Sequence, residues 1–282
     1  MTDDDPRPGT AIDIPGAANV RDLGGWAIKS GGTVRRGQVY RSTELHDLSP
    51  DGLTRLSSLG LRTVFDLRTV DERDAKPDRL PTGVADVPLD VLADDPSNLT
   101  AGATDLPKLL ADPTRLDALM SGTSFTDIFA EAYRGVVVLP SALHSYRTMY
   151  QHIADPAQRP ALFHCTTGKD RTGWGAAALL TLLGVDHTDV MTDYLLTNTE
   201  ILPLTQPLYD EFAHAGGDPA MLRPALGVDP TYLETAFNEM ESRFGTIDRY
   251  FSEGLGLDGT TIERLHSGLV DQGYRGQANQ LR

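Results

Sequence analysis

Apolar positions recur along this chain at two different spacings, and together the two sketch an order of helices and strands. Ser49-Pro50-Asp51 sets up a helix start, Leu53, Leu56 and Leu59 follow three apart, and Gly60 stops the run, so a short helix is expected there. Residues 62–67 read as a buried strand. Upstream, a turn-rich stretch with Gly24-Gly25 and Gly31-Gly32 gives way to a short strand over 34–40, and residues 1–15 read as a loose polar tail. Further on, Leu143, Tyr146, Met149, Tyr150 and Ile153 form a helical face within 141–154. Pro160-Ala161-Leu162-Phe163 is a compact apolar strand, and 172–183 is an Ala- and Leu-rich helix stopped by Gly184. Helix, strand, loop and helix in that order make an α/β unit with a parallel strand. Beyond residue 186 the pattern is helical: 187–200, then a helix opened by Asp229-Pro230 that ends near Gly245, then 258–269.

Nothing in the pattern divides the chain into two domains, since it has neither a long repeat nor a Ser/Gly- or Pro-rich linker. One domain over 16–282 is the economical reading, and a chain of 282 residues buries roughly three quarters of its unfolded surface. The regular pattern lapses over 89–124, where Asp, Pro, Gly and Ser mix with helical fragments such as 106–110, so a lid or insertion over about 90–135 is expected. Hydrophobic residues at 40% against 23% charged exclude a wholly disordered chain. No apolar stretch approaches the ~18 residues that span a bilayer, so no integral membrane segment is expected. The acidic start, Met1-Thr2-Asp3-Asp4-Asp5, is unlike a secretory leader, and a cytoplasmic location is expected, with export by a signal-independent route left open.

Charge and cysteine content then narrow the chemistry. Forty acidic against 25 basic residues give a formal charge of -15, which opposes long-range attraction to nucleic acids or anionic lipid. Any anionic ligand must therefore be held by a local site. Lysine occurs only at positions 29, 76, 108 and 169, and the single cysteine, Cys165, excludes an internal disulfide or a multi-cysteine metal site. A free cysteine is either a small buried hydrophobe or a nucleophile, and its neighbours decide.

Those neighbours are His164-Cys165-Thr166-Thr167-Gly168-Lys169-Asp170-Arg171-Thr172-Gly173, set between the apolar strand and the Ala-rich helix. A loop curling in front of a helix N-terminus gathers unpaired N–H groups and the positive end of the dipole into a nest for a tetrahedral oxyanion. Phosphate fits that description. Cys165 at the start of the loop would have its thiol pKa lowered there. Arg171, six residues later, can hold two phosphate oxygens with its planar fork. Thr166, Thr167, Gly168, Lys169 and Asp170, with Arg171, are the expected phosphate-binding residues, and Thr172 is placed to donate a hydroxyl hydrogen bond to the thiolate. Attack by Cys165 would give a cysteinyl-phosphate, with no cofactor and no metal required. His164 either orders the loop from behind or is a satisfied core histidine. A nucleotide-binding P-loop is excluded, because Phe163 and Asp170 stand where that motif needs Gly and Ser or Thr.

The segment from His164-Cys165 to Arg171-Thr172-Gly173 resembles the active-site signature of the cysteine-dependent protein tyrosine phosphatases, and Gly168-Lys169-Asp170-Arg171-Thr172 is similar to that of their atypical bacterial branch. Asn19-Val20-Arg21-Asp22, Arg41-Ser42-Thr43-Glu44-Leu45, Asp66-Leu67-Arg68 and Asp193-Tyr194-Leu195 also resemble segments of that branch. The likeness runs from about residue 16 to the C-terminus and is weakest over the insertion. It implies an α/β fold with a central, mostly parallel sheet flanked by helices, a helical lid and a helical C-terminal part. It further implies hydrolysis of phosphotyrosine in proteins, with phosphoserine, phosphothreonine and phosphoinositides as further substrates and inorganic phosphate as product, a breadth associated with Lys169 and Asp170. The usual Trp-Pro-Asp acid loop is absent. The atypical branch uses an Asp at the end of a strand ahead of the lid, which points to Asp90 in Val87-Pro88-Leu89-Asp90, with Asp94, Asp95 and Asp170 as competitors. Arg21, Asp22, Glu44 and Arg68 are expected to form ion pairs beneath the site. The rival readings are a sulfurtransferase, a phospho-ligand binder without catalysis, and a soluble inositol-polyphosphate phosphatase.

Overall fold

The apolar strand that precedes Cys165 forms the middle of the sheet. In the computed structural model, which describes residues 6–95, 122 and 124–272, the first half comprises β1 (Arg21–Asp22), β2 (Thr33–Val34), β3 (Val39–Ser42), α1 (Pro50–Ser58), β4 (Thr63–Asp66), α2 (Val70–Ala75) and β5 (Ala85–Pro88). The second half comprises α3 (Phe125–Val138), α4 (Pro140–Ala154), β6 (Ala161–His164), α5 (Arg171–Leu182), α6 (His187–Ile201), α7 (Gln206–His214), α8 (Arg223–Leu226) and α9 (Pro230–Phe244). A helical turn at Ile247–Arg249 precedes α10 (Gly259–Leu269) and β7 (Val270–Asp271).

Five strands pair in the order β1-β3-β6-β4-β5, all parallel except the edge strand β1. β6 is buried at every position, and its last residue, His164, is in register with Ser42 of β3 and Asp66 of β4. The carboxyl ends of the parallel strands therefore open at one edge of the sheet, where α/β folds place ligand sites. The architecture is α/β, a mostly parallel sheet flanked by helices. Helix starts follow from local chemistry: Ser49, Asp186, Asp229 and Asp258 each cap a helix with a side-chain oxygen. Every residue of α5 except Thr181 is buried, as befits a helix without a polar face. Trp174 packs edge-on against Phe237 and Tyr250, and the Tyr146 and Tyr150 hydroxyls donate to the Arg171 and Gly175 carbonyls.

Two sequence expectations are corrected. The strand expected over 34–40 is two separate pieces, because Gly37 takes a φ of +70° and gives its N–H to Asp22, breaking the extended run before β3. β2 pairs instead with β7 in a second, two-stranded sheet, so the chain beyond 186 is not helical throughout. Of the tail expected over 1–15, residues 1–5 lie outside the described residues; in the rest Pro6, Arg7, Thr10, Ala11 and Asp13 are exposed, while Ile14 is buried and the Ile12 N–H donates to the Val20 carbonyl. The fragment 106–110 and most of the expected insertion also lie outside the described residues. The end of that insertion, from Phe125, is the start of α3, capped by Ser124. No helix among the described residues is long and apolar enough to cross a membrane.

Candidate active site

The loop between β6 and α5 runs from Cys165 to Asp170. Its path is set at Gly168, which takes a φ of +62° and lies so close to β3 that any Cβ would collide with the Ser42 carbonyl oxygen. Only glycine meets both demands. The Gly168 carbonyl accepts hydrogen bonds from Asn19 Nδ2 and Arg41 Nη2, each at 2.8 Å, and the Thr166 carbonyl accepts the Glu44 N–H. Cys165 is buried and forms no disulfide. α5 starts without a side-chain cap, so its dipole and first N–H groups face the loop unsatisfied by any side chain of their own turn.

Arg171, the first residue of α5, is held by Glu72 of α2. Nη1 donates to Oε2 at 2.6 Å and Nη2 to Oε1 at 2.9 Å. Glu72 also accepts the Thr69 N–H and hydroxyl, in a capping box, and the Thr166 hydroxyl from the loop. Burial pushes the Glu72 carboxyl up, but the Arg171 guanidinium, the Thr166 hydroxyl and the Thr69 N–H outweigh it and hold the group at about 2. Glu72 takes the end of the guanidinium fork, and among the described residues nothing accepts from Nε–H or the second N–H of Nη2 on the adjacent edge, a pair with the spacing of two phosphate oxygens.

The neighbouring side chains expected at the phosphate divide in the structure. Lys169 is buried and turned away: Nζ donates to the Ala225 and Gly227 carbonyls at the end of α8, at 2.5 and 3.1 Å, and sits 4.4 Å from the centre of the Phe129 ring. Asp170 Oδ1 accepts from the Tyr133 hydroxyl at 2.9 Å, and Tyr133 is 2.6 Å from the Tyr194 hydroxyl. Lys169 can therefore offer the loop its backbone N–H but not its ammonium. Thr167 is half-buried, and the Thr172 hydroxyl is buried with no hydrogen-bond partner among the described residues, so the expected bond to the Cys165 sulfur is not formed.

Asp90 lies just beyond β5. One oxygen accepts the Val70 N–H at 3.1 Å, at the first turn of α2, and the other accepts the Leu92 N–H at 3.0 Å. It therefore adjoins the helix that carries Glu72. Asp94 instead bonds the Ser141 N–H and hydroxyl at the start of α4, and the Asp95 N–H closes a turn on the Leu92 carbonyl.

Beneath the loop lie two buried ionic clusters. Arg21 and Arg41 share Asp193 at 2.9 and 2.8 Å. Arg68 binds Asp66, Asp78 and Glu44 at 2.7, 2.9 and 3.1 Å. His164 Nε2 is 2.9 Å from Asp78; burial pushes its imidazole down and the Asp78 carboxylate pushes it up, with a net rise. Asp66, Asp78 and His164 converge closely enough to suggest a cation site, but the Arg68 guanidinium already bridges the two carboxylates. Arg21, Glu44 and Arg68 are thus paired as expected, whereas Asp22 accepts the N–H groups of Gly24 and Gly37. Sequence reasoning missed Glu72, Asp78 and the anchoring role of Asn19; only Glu72 carried a local signal, the Thr69-x-x-Glu72 capping box.

Comparison with known proteins agrees with this geometry. A sequence profile described as the tyrosine phosphatase family matches residues 12–271. A Cupriavidus necator protein with the provisional name tyrosine-protein phosphatase is 32% identical over 244 residues, covering 86% of this chain and 82% of its own. The triple specificity protein phosphatase PtpB of Mycobacterium tuberculosis is 28% identical over 280 residues, covering 92% of this chain and 98% of its own. A tyrosine-protein phosphatase of Nostoc commune is 32% identical over 158 residues, 56% of this chain and 47% of its own. Since the profile spans nearly the whole chain, including both ionic clusters and the loop they support, this protein belongs to the tyrosine phosphatase family.

Proposed function

We propose that the enzyme hydrolyses phosphotyrosine in protein substrates, and phosphoserine, phosphothreonine and phosphoinositide monoesters besides, through a phosphorylated Cys165. The observation that carries this reading is the Arg171 fork, fixed at its end by Glu72 and open along its side, at the mouth of a loop that begins with a cysteine. The Cys165 thiolate attacks phosphorus in line with the departing oxygen, so that the S–P bond forms as the P–O bond breaks. The departing phenolate or alkoxide takes a proton from a carboxylic acid. Water then attacks the phosphorus, the S–P bond breaks, inorganic phosphate leaves, and the same carboxylate takes the proton from water. Loop N–H groups and Arg171 stabilise the equatorial oxygens in both steps.

Asp90 is assigned as the acid, because β5 lies two strand spacings from β6, about 10 Å, and Asp90 adjoins the helix bearing Glu72. The breadth of substrates draws support from the relative named for triple specificity. With the Lys169 ammonium bound to carbonyls, the anionic contacts in every case come from the loop amides and Arg171.

Cys165→Ser is expected to abolish release of phosphate from p-nitrophenyl phosphate, and acid quenching of the parent during turnover of a labelled substrate should trap phosphate on the protein. EDTA should leave turnover unchanged, since no step uses a metal. Turnover above background in the Ser variant, or release of thiocyanate from thiosulfate and cyanide in place of phosphatase activity, would overturn the reading.

A further inference from the structure

Glycine at position 168 gives the loop its turn, but it also leaves the following peptide free to flip, since glycine tolerates backbone angles on both sides of the map. The surroundings remove that freedom. Asn19 and Arg41 are both buried, and both donate to the Gly168 carbonyl at 2.8 Å, which uses its two lone pairs. Neither donor is free to move. The Asn19 side-chain oxygen accepts from Arg21, which leaves Nδ2 facing Gly168. Arg41 spends its other terminal nitrogen on Asp193 at 2.8 Å, and Asp193 is anchored in turn by Arg21. Turning the carbonyl into the loop would strand two buried donors, one of them charged.

The peptide from Gly168 to Lys169 is trans, so its N–H points away from its carbonyl. We propose that Asn19 and Arg41 are positioning residues that keep this carbonyl out of the phosphate loop and the Lys169 N–H turned into it, as a donor to the bound oxyanion. This rests on the phosphatase reading of the loop. It gives Lys169 a function through its backbone, while its side chain serves the contact with α8. It also explains why two arginines share one aspartate here: the second guanidinium is partly answered by the Gly168 carbonyl. Arg41, lowered by burial and by Arg21 to about 10, still carries its charge at neutral pH.

The test uses orthovanadate inhibition of the full chain with Asn19→Ala and Arg41→Lys. Each is expected to raise the inhibition constant at least about tenfold, as for one lost charge-assisted hydrogen bond. In folded Asn19→Ala, which removes no charge, the Lys169 amide resonance should lose its response to vanadate while the Thr167 amide keeps its own, a split that general loosening of the fold would not produce. Should either variant fail to fold, the Lys169 amide resonance of Cys165→Ser protein titrated with inorganic phosphate gives the same answer, and a large shift is expected. Folded variants that bind vanadate within about twofold of the parent, or a Lys169 amide indifferent to phosphate, overturn the proposal alone. A parent that binds neither vanadate nor phosphate overturns the phosphatase reading, and this proposal with it.

Discussion

Glu72→Gln removes one charge from beneath Arg171 while keeping the side chain's length and one acceptor oxygen. In the folded protein the Glu72 carboxyl is held at about 2, against an ordinary value of 4.5. That gap is worth about 3 kcal/mol at 25 °C. The raised affinity of Arg171 for its own proton reflects the same contact and is not added. Breaking a buried ion pair from one side costs a comparable ~3–5 kcal/mol, because the remaining charge is left uncompensated. The sign follows from the direction: Glu72 holds its proton less well when folded, so its contribution is complete above pH 4.5 and is lost as the pH falls toward 2. Urea unfolding at pH 7 should therefore find the variant about 3 kcal/mol less stable, with the difference shrinking steadily between pH 4.5 and 2. Turnover of p-nitrophenyl phosphate should fall as well, since the Arg171 fork loses its anchor. A difference below about 1 kcal/mol at pH 7, or one that stays constant down to pH 3, would refute the assignment of Glu72 as the ionised partner of a buried Arg171.

Asp90→Asn should depress turnover of phosphoserine much more than that of p-nitrophenyl phosphate, whose leaving group needs little protonation, and should remove the basic-side fall of the pH–rate profile. Equal loss on both substrates would make Asp90 a loop-positioning residue and turn attention to Asp170. Lys169→Met strips the Ala225 and Gly227 carbonyls of their donor, so a stability loss of about 1–3 kcal/mol is expected, with the ratio of phosphoinositide to phosphotyrosine turnover unchanged. A changed ratio at unchanged stability would mean that the ammonium reaches the substrate.

The candidate loop was legible because strand, cysteine, glycine, arginine and helix follow one another within a few residues, so local sequence determines the backbone and the chemistry together. Helix starts at Ser49, Asp229 and Asp258 were legible for the same reason, a cap being a matter of three or four residues. Asp78 was not, because a carboxylate on a chain with 40 acidic residues has no distinguishing mark until the sheet brings it against His164 and Arg68. Glu72 went unread: its capping box with Thr69 is a local signal for the start of α2, but that signal carries nothing about its second partner, Arg171. Lys169 illustrates the opposite limit: its place in the loop sets where its backbone runs, but four methylenes let the charge end at α8 instead. The strand expected over 34–40 stopped short because Gly37 answers to Asp22, a contact that alternation of apolar and polar residues does not encode.

The clamp on Gly168 joins residues from far apart in the chain: Asn19 lies 149 positions from Gly168, and Arg21 lies 172 positions from Asp193. The entropy of closing such long loops grows only slowly with length, but their contacts can form only after both ends exist. A nascent chain released as far as α5 already contains Cys165 and Arg171, yet lacks Asp193 and hence the anchor that holds Arg21 and Arg41 in place. If Cys165 and its loop work as proposed, the thiol is made before the contacts that hold its oxyanion nest. On that mechanism phosphatase activity is expected only once α6 has joined the fold, after every residue of the loop has been synthesised.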